Sequence, residues 1–261
     1  MSNYIPLIAA LVPTIALLVY VYKCDYRQPE PIGQLVKAVV YGVISIGVSL
    51  CISYPFGFIG LYPSEVLTVG DAIRSSFFSA AIPEELAKLF MLWLFLRKNK
   101  YFDERLDGIV YAVCVSLGFA GLENILYVLQ DGEWLTTAIT RAIFAVPGHF
   151  CYGVLMGYFY SMYKFSEYNR RWNMAMIIVA PVVLHGIYDA LLFAMDTIPE
   201  WLAVIFLLAF LVFCFYMWKW AKRSIQRHAN TDAFHALIFD DDSDDDSDDT
   251  KTTDPATRDE A

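Results

Sequence analysis

Seven stretches of this chain are mostly apolar, and each is about as long as the roughly 20-residue helix that crosses a hydrocarbon layer about 30 Å thick. Tyr4 to Tyr22, Ala38 to Leu61 and Trp201 to Trp218 carry no formal charge. Ser75 to Leu96, Gly108 to Val128, Ala142 to Tyr163 and Trp172 to Met195 match them in length but hold polar residues inside. Lipid offers no partner to a backbone N–H or C=O, so segments of this length must be helices. A membrane barrel would show alternating strands of roughly ten residues, and none is present. The expected fold is therefore an all-α polytopic membrane protein with about seven transmembrane helices. Composition agrees: 57% of the 261 residues are apolar and 18% charged, against about 45–50% and about 25% in a soluble domain. That balance excludes a disordered chain, a nucleic-acid binder and an ordinary soluble enzyme.

Lysine and arginine set the sidedness. They occupy the first connection (Lys23, Arg27), the third (Arg97, Lys98, Lys100, Arg105), the fifth (Lys164, Arg170, Arg171) and the segment after the last span (Lys219, Lys222, Arg223, Arg227). The second, fourth and sixth connections hold Glu65, Asp131, Glu133, Asp196 and Glu200 and no basic residue; Arg74 and Arg141 lie at the helix ends that follow. This alternation places the N-terminus outside and the C-terminus in the cytoplasm. Basic residues follow the first apolar stretch instead of preceding it, so it reads as an uncleaved span and not a signal peptide. The five cysteines, Cys24, Cys51, Cys114, Cys151 and Cys214, form no CxxC and no disulfide framework.

The net charge of −9 is unevenly distributed. Residues 228–261 hold twelve acidic and two basic residues, including the run DDDSDDDSDD at 240–249, whereas residues 1–227 are almost neutral. A run of like charge repels itself and buries no core, so the expectation is a membrane domain over 1–227, with its site within 72–195, and a disordered acidic cytoplasmic tail over 228–261.

The almost neutral body nevertheless keeps charges where lipid should be. Glu84, Glu85 and Lys88 fall in the third apolar stretch, Glu123 and Asn124 in the fourth, His149 in the fifth, and His185 and Asp189 in the sixth. At about 2.5–3.5 kcal/mol per mid-membrane charge, five such groups cost on the order of 12–17 kcal/mol. The whole stability of a domain is only about 5–15 kcal/mol, so these groups must face one another or a wet cavity. Lys88 lies three and four residues beyond the two glutamates, within reach of either, and His185 and Asp189 share a helix face. Phe119 and Glu123 also share one, with Gly118 and Gly121 permitting close helix approach. At about 1.5 Å per residue, all of these groups fall in one layer, somewhat nearer the outer face. Arg141 is expected to snorkel to the outer interface.

Glutamates and histidines in a confined wet pocket suit general acid–base chemistry on water, and the Asn124 amide or a neutral histidine can donate to a developing oxyanion. Three other readings fit the same residues: a proton-coupled transporter or proton-conducting protein, a set of polar clamps between helices, and a non-catalytic scaffold. A retinal receptor is disfavoured because the last span has no lysine at its middle.

Glu84-Glu85-Leu86-Ala87-Lys88 matches the pattern EExxK, Phe119 to Asn124 matches FxxxEN, and His185 to Asp189 matches HxxxD. In this order on successive membrane helices, the three resemble the PrsW family of intramembrane proteases, which is related to the CAAX prenyl endopeptidases. The resemblance implies site-1-type cleavage of a single-pass membrane protein, such as an anti-sigma factor, in a bacterial plasma (inner) membrane. It implies Glu84, Glu85, Glu123 and His185 as catalytic residues, with Lys88, Phe119, Asn124, His149 and Asp189 supporting them. Its glutamate-dependent cousins imply chemistry without a metal. If a divalent ion is held, the candidate ligands are Glu85, Glu123, His149 and His185.

Overall fold

The computed structural model describes residues 4–130 and 132–245; Asp131 and residues 246–261 of the acidic run and tail lie outside the described residues. Among the described residues there are helices and no strands. In order they are α1 (Tyr4–Cys24), α2 (Ile32–Phe58), α3 (Val69–Ser75), α4 (Ile82–Leu96), α5 (Arg105–Gln130), α6 (Trp134–Thr140), α7 (Val146–Phe165), α8 (Arg170–Met195) and α9 (Glu200–Asp245). Two π-helical segments, Ser76–Ala81 and Arg141–Ala145, join α3 to α4 and α6 to α7 without a break.

Among the described residues, six helical stretches are long and apolar enough to cross a membrane: α1, α2, α5, α6 with α7, α8, and α9 as far as Phe234. The expected third span is not among them. Residues 69–96 form three pieces (α3, a π segment and α4) and carry Asp71, Arg74, Glu84, Glu85 and Lys88. The chain is thus a multi-pass integral membrane protein, and its most polar helix is held among the others.

The centre of the bundle is α5, buried on nearly every side from Leu106 to Gly121 and packed against α1, α2 and α7. An apolar helix gains little from burial when its surroundings are equally apolar, so close packing must supply the attraction. Small residues allow it. At Gly118 even a Cβ would collide with the backbone of Val39 on α2, and at Gly42 one would collide with Val115 on α5. The outer helices keep large apolar side chains such as Leu50, Val204, Leu208 and Phe215 exposed, as contact with lipid requires. The five cysteines are all unpaired.

The end of the bundle bearing Lys23, Arg97, Lys164 and Arg223 also holds carboxylates. Asp25 accepts the Glu30 N–H at 3.2 Å, and Tyr111 donates to Glu30. Burial pushes the Asp25 carboxyl up to about 7, with Glu30, Glu104 and Asp232 adding repulsion against the Glu30 N–H. The folded chain does not stop at Arg227, where the charge pattern changes, because α9 continues to Asp245. His228 stacks on Tyr158 with ring centres 4.5 Å apart. Asp232 accepts the N–H groups of Arg105 and Leu106 at 3.2 and 2.8 Å, satisfying donors that the start of α5 would otherwise leave open. At these first positions of the expected tail, stacking and capping groups outweigh the adjoining charge.

Candidate active site

The helices carrying the first glutamates and the first histidine begin in the same way. In each a π segment ends in an i→i−5 bond, from Ile82 N–H to Phe77 and from Val146 N–H to Arg141. A proline follows, Pro83 or Pro147, and then the polar residues, Glu84-Glu85 or Gly148-His149. Proline has no N–H to give the previous turn. The Ser79 carbonyl, four residues before Pro83, instead accepts the Ser53 hydroxyl of α2 at 2.9 Å. The wide turns and prolines rotate these residues inward. Gly186 lets α8 approach the π segment so closely that a Cβ would strike the Phe77 ring, which brings His185 up to Glu85.

Lys88 sits at the middle. Its ammonium lies 3.2 Å from Glu84 Oε2, 2.9 Å from Glu85 Oε1 and 3.0 Å from His149 Nδ1, with the Phe119 ring face 4.0 Å away. An ammonium can only donate, so His149 Nδ1 is the acceptor and Nε2–H donates to Glu123 Oε2 at 3.0 Å. Arg141 holds the same Glu123 oxygen at 2.5 Å, donates to Asn124 Oδ1 at 2.8 Å and lies over the Tyr127 ring. His185 Nδ1 faces Glu85 Oε1 at 2.9 Å and Nε2 faces Asp189 Oδ2 at 3.2 Å. Only the doubly protonated ring can donate to both. Each carboxylate therefore has a cation in contact, the condition for charge to persist in a membrane interior.

All nine residues singled out from sequence meet in this one network. They divide by access. Glu85 and Lys88 are buried completely or nearly so, whereas Glu84, Glu123 and Asp189 keep 13%, 18% and 14% of their side chains open. The open ones face a cavity of about 260 Å³ shared with His149 and His185 and walled by Phe144, Leu192, Phe193 and Phe210. Two expectations change. Arg141 does not snorkel to an interface; with Glu123 within reach, the ion pair wins over solvation. Asn124 is fully buried and away from the cavity, its amide donating to the Ala10 carbonyl of α1 at 2.6 Å while its oxygen takes Arg141. It anchors the network from outside the cavity. Tyr152 was not singled out, although it lies three residues after His149 and so shares its helix face.

One atom each from Glu84, Glu85 and His149 lies within 4.8 Å of the others, close enough to hold a divalent ion. Glu123 and His185 are not part of that trio. The Lys88 ammonium already contacts all three members, so an ion could enter only by displacing it, and the donor set as arranged does not fit a metal.

A family model described as "PrsW family intramembrane metalloprotease" matches residues 30–218. A relative named Protease PrsW from Geobacillus kaustophilus is 37% identical over 188 residues, covering 72% of this chain and 80% of the relative. One of the same name from Bacillus subtilis is 35% identical over 221 residues, covering 84% and 93%. Another from Clostridioides difficile is 28% identical over 225 residues, covering 85% and 90%. No solved structure matches the chain.

Proposed function

The chain belongs to the PrsW family of intramembrane proteases, and we propose that it is an endopeptidase that cleaves a single-pass membrane protein with water activated by a glutamate. The observation that carries this reading is the cavity, where carboxylates and two histidines meet an apolar wall inside the bundle. Glu84 is the general base. It lines the cavity and has its Oε2 held by Lys88, so its remaining oxygen can take a proton from water. Glu85 is the anchor that fixes Lys88 and His185. Glu123, gripped by Arg141 and His149, and Asp189 hold the opposite wall.

Lys88 supplies the positive charge in this reading, and no metal is required. The aromatic and aliphatic wall accepts an apolar side chain of the substrate. Residues 69–96 form a seventh span, with the N-terminus outside and the C-terminus cytoplasmic, and the substrate is cut near its extracytoplasmic edge. Following the family resemblance, that substrate is a single-pass protein such as an anti-sigma factor. The test is reconstitution in liposomes with candidate single-pass substrates. Wild type makes a cut that Glu84→Gln abolishes and a chelator leaves intact. Proton or solute movement without any cut would instead support the transporter reading.

A further inference from the structure

Among the described residues, four buried side-chain atoms lack a hydrogen-bond partner: Thr14 Oγ1, Asn99 Nδ2, Glu85 Oε2 and the Tyr152 hydroxyl. The last two belong to the site, and Tyr152 also lines its cavity. Its ring lies flat on His185, with centres 4.6 Å apart and planes 16° from parallel, and His149 meets it edge-on at 5.6 Å. The hydroxyl folds back toward Gly148, where an added Cβ would come within 3.2 Å of it. Tyr152 is only 1% exposed. A buried hydroxyl without a partner costs stability, and phenylalanine would give the same stacking without that cost. Packing alone therefore does not call for tyrosine here.

The donors of the central network are already engaged. His149 Nε2 is committed to Glu123, His185 to Glu85 and Asp189, and Lys88 to Glu84, Glu85 and His149, while Arg141, on the cavity wall, grips Glu123 and Asn124. Peptide hydrolysis needs a donor aimed at the carbonyl oxygen as it gains negative charge.

We propose that the Tyr152 hydroxyl is that donor, a catalytic residue that hydrogen-bonds the scissile carbonyl oxygen in the tetrahedral intermediate. This rests on the protease reading above. The water oxygen bonds to the carbonyl carbon while its proton passes to Glu84, and the carbonyl electron pair moves onto the oxygen facing Tyr152. As the intermediate collapses, the C–N bond breaks and Glu84 returns the proton to the leaving nitrogen. Tyr152 keeps its own proton throughout.

The test compares wild type, Glu84→Gln and Tyr152→Phe in liposomes on one single-pass substrate, with melting temperatures recorded in detergent. Tyr152→Phe should lower kcat by about 10²–10³-fold, the usual effect of removing one oxyanion donor. KM should stay within about twofold, and the melting temperature should hold or rise. An unchanged kcat, or a loss confined to KM, overturns the proposal. If Tyr152→Phe fails to fold, ring-fluorinated tyrosine at position 152 decides, because it keeps the shape and strengthens the donor. A raised kcat then supports the role, and a kcat no higher than that of wild type refutes it. If wild type itself makes no cut, the protease reading has failed; a wild-type cut matched by Tyr152→Phe removes only Tyr152.

Discussion

Replacing Lys88 with methionine removes the positive charge at the centre of the network while keeping most of the side-chain volume. Three partners lose their donor at once, among them Glu85, which has none of its surface open. Removing one member of a buried ion pair leaves a charge uncompensated and costs about 3–5 kcal/mol. For a chain of this size, that is a fall in melting temperature of roughly 6–20 °C. Glu85 keeps His185, whereas Glu84 has no other cation in contact among the described residues, so Glu84→Gln added to Lys88→Met removes the orphaned charge and the double variant should lose less than the sum of the two single losses.

A second effect follows from where Lys88 sits. With the ammonium gone, Glu84, Glu85 and His149 are free to share a divalent ion, their ligand atoms lying within 4.8 Å of one another. Zinc should then stabilise Lys88→Met by about 2.7 kcal/mol at a hundredfold excess over its Kd, raising its melting temperature, and leave wild type unmoved. The assay is thermal unfolding in detergent with and without zinc, on wild type and Lys88→Met. Equal stabilisation of wild type would refute the reasoning, because the cation position would then not be the one Lys88 fills.

Three more outcomes are expected. Arg141→Met frees Glu123 and Asn124 together and should lower kcat by about tenfold or more, since misplacing a catalytic group is costly; activity at the wild-type level would mean that Glu123 needs no anchor. The folded-state carboxyl of Asp25 is raised to about 7, so its contribution to stability is full below about pH 4 and is lost as pH rises through about 7. Asp25→Asn should therefore melt higher than wild type by more at pH 8 than at pH 5; the same gain at both would show that ionisation is not the cause. Truncation after Asp245 should leave the melting temperature unchanged, whereas truncation after Arg227 removes the Asp232 cap on α5 and should cost about 0.5–2 kcal/mol; no difference between the two would remove that cap from the argument.

The sequence settled the elements that depend on local chemistry. Apolar length dictated helices, because lipid leaves the backbone no other partner, and the expense of charge in a membrane required Glu84, Glu85, Lys88, Glu123, His149, His185 and Asp189 to find one another. Tertiary structure decided what spacing along one helix cannot express. It put Lys88 against His149 across helices, turned Arg141 inward, took Asn124 out of the cavity, inserted π turns ahead of Pro83 and Pro147, and left the Tyr152 hydroxyl without a partner. It also carried α9 beyond Arg227 to cap α5. The physical reason is that pairing partners are chosen by distance in the folded bundle. A residue's own helix fixes its face, while neighbouring helices fix which donor reaches which acceptor.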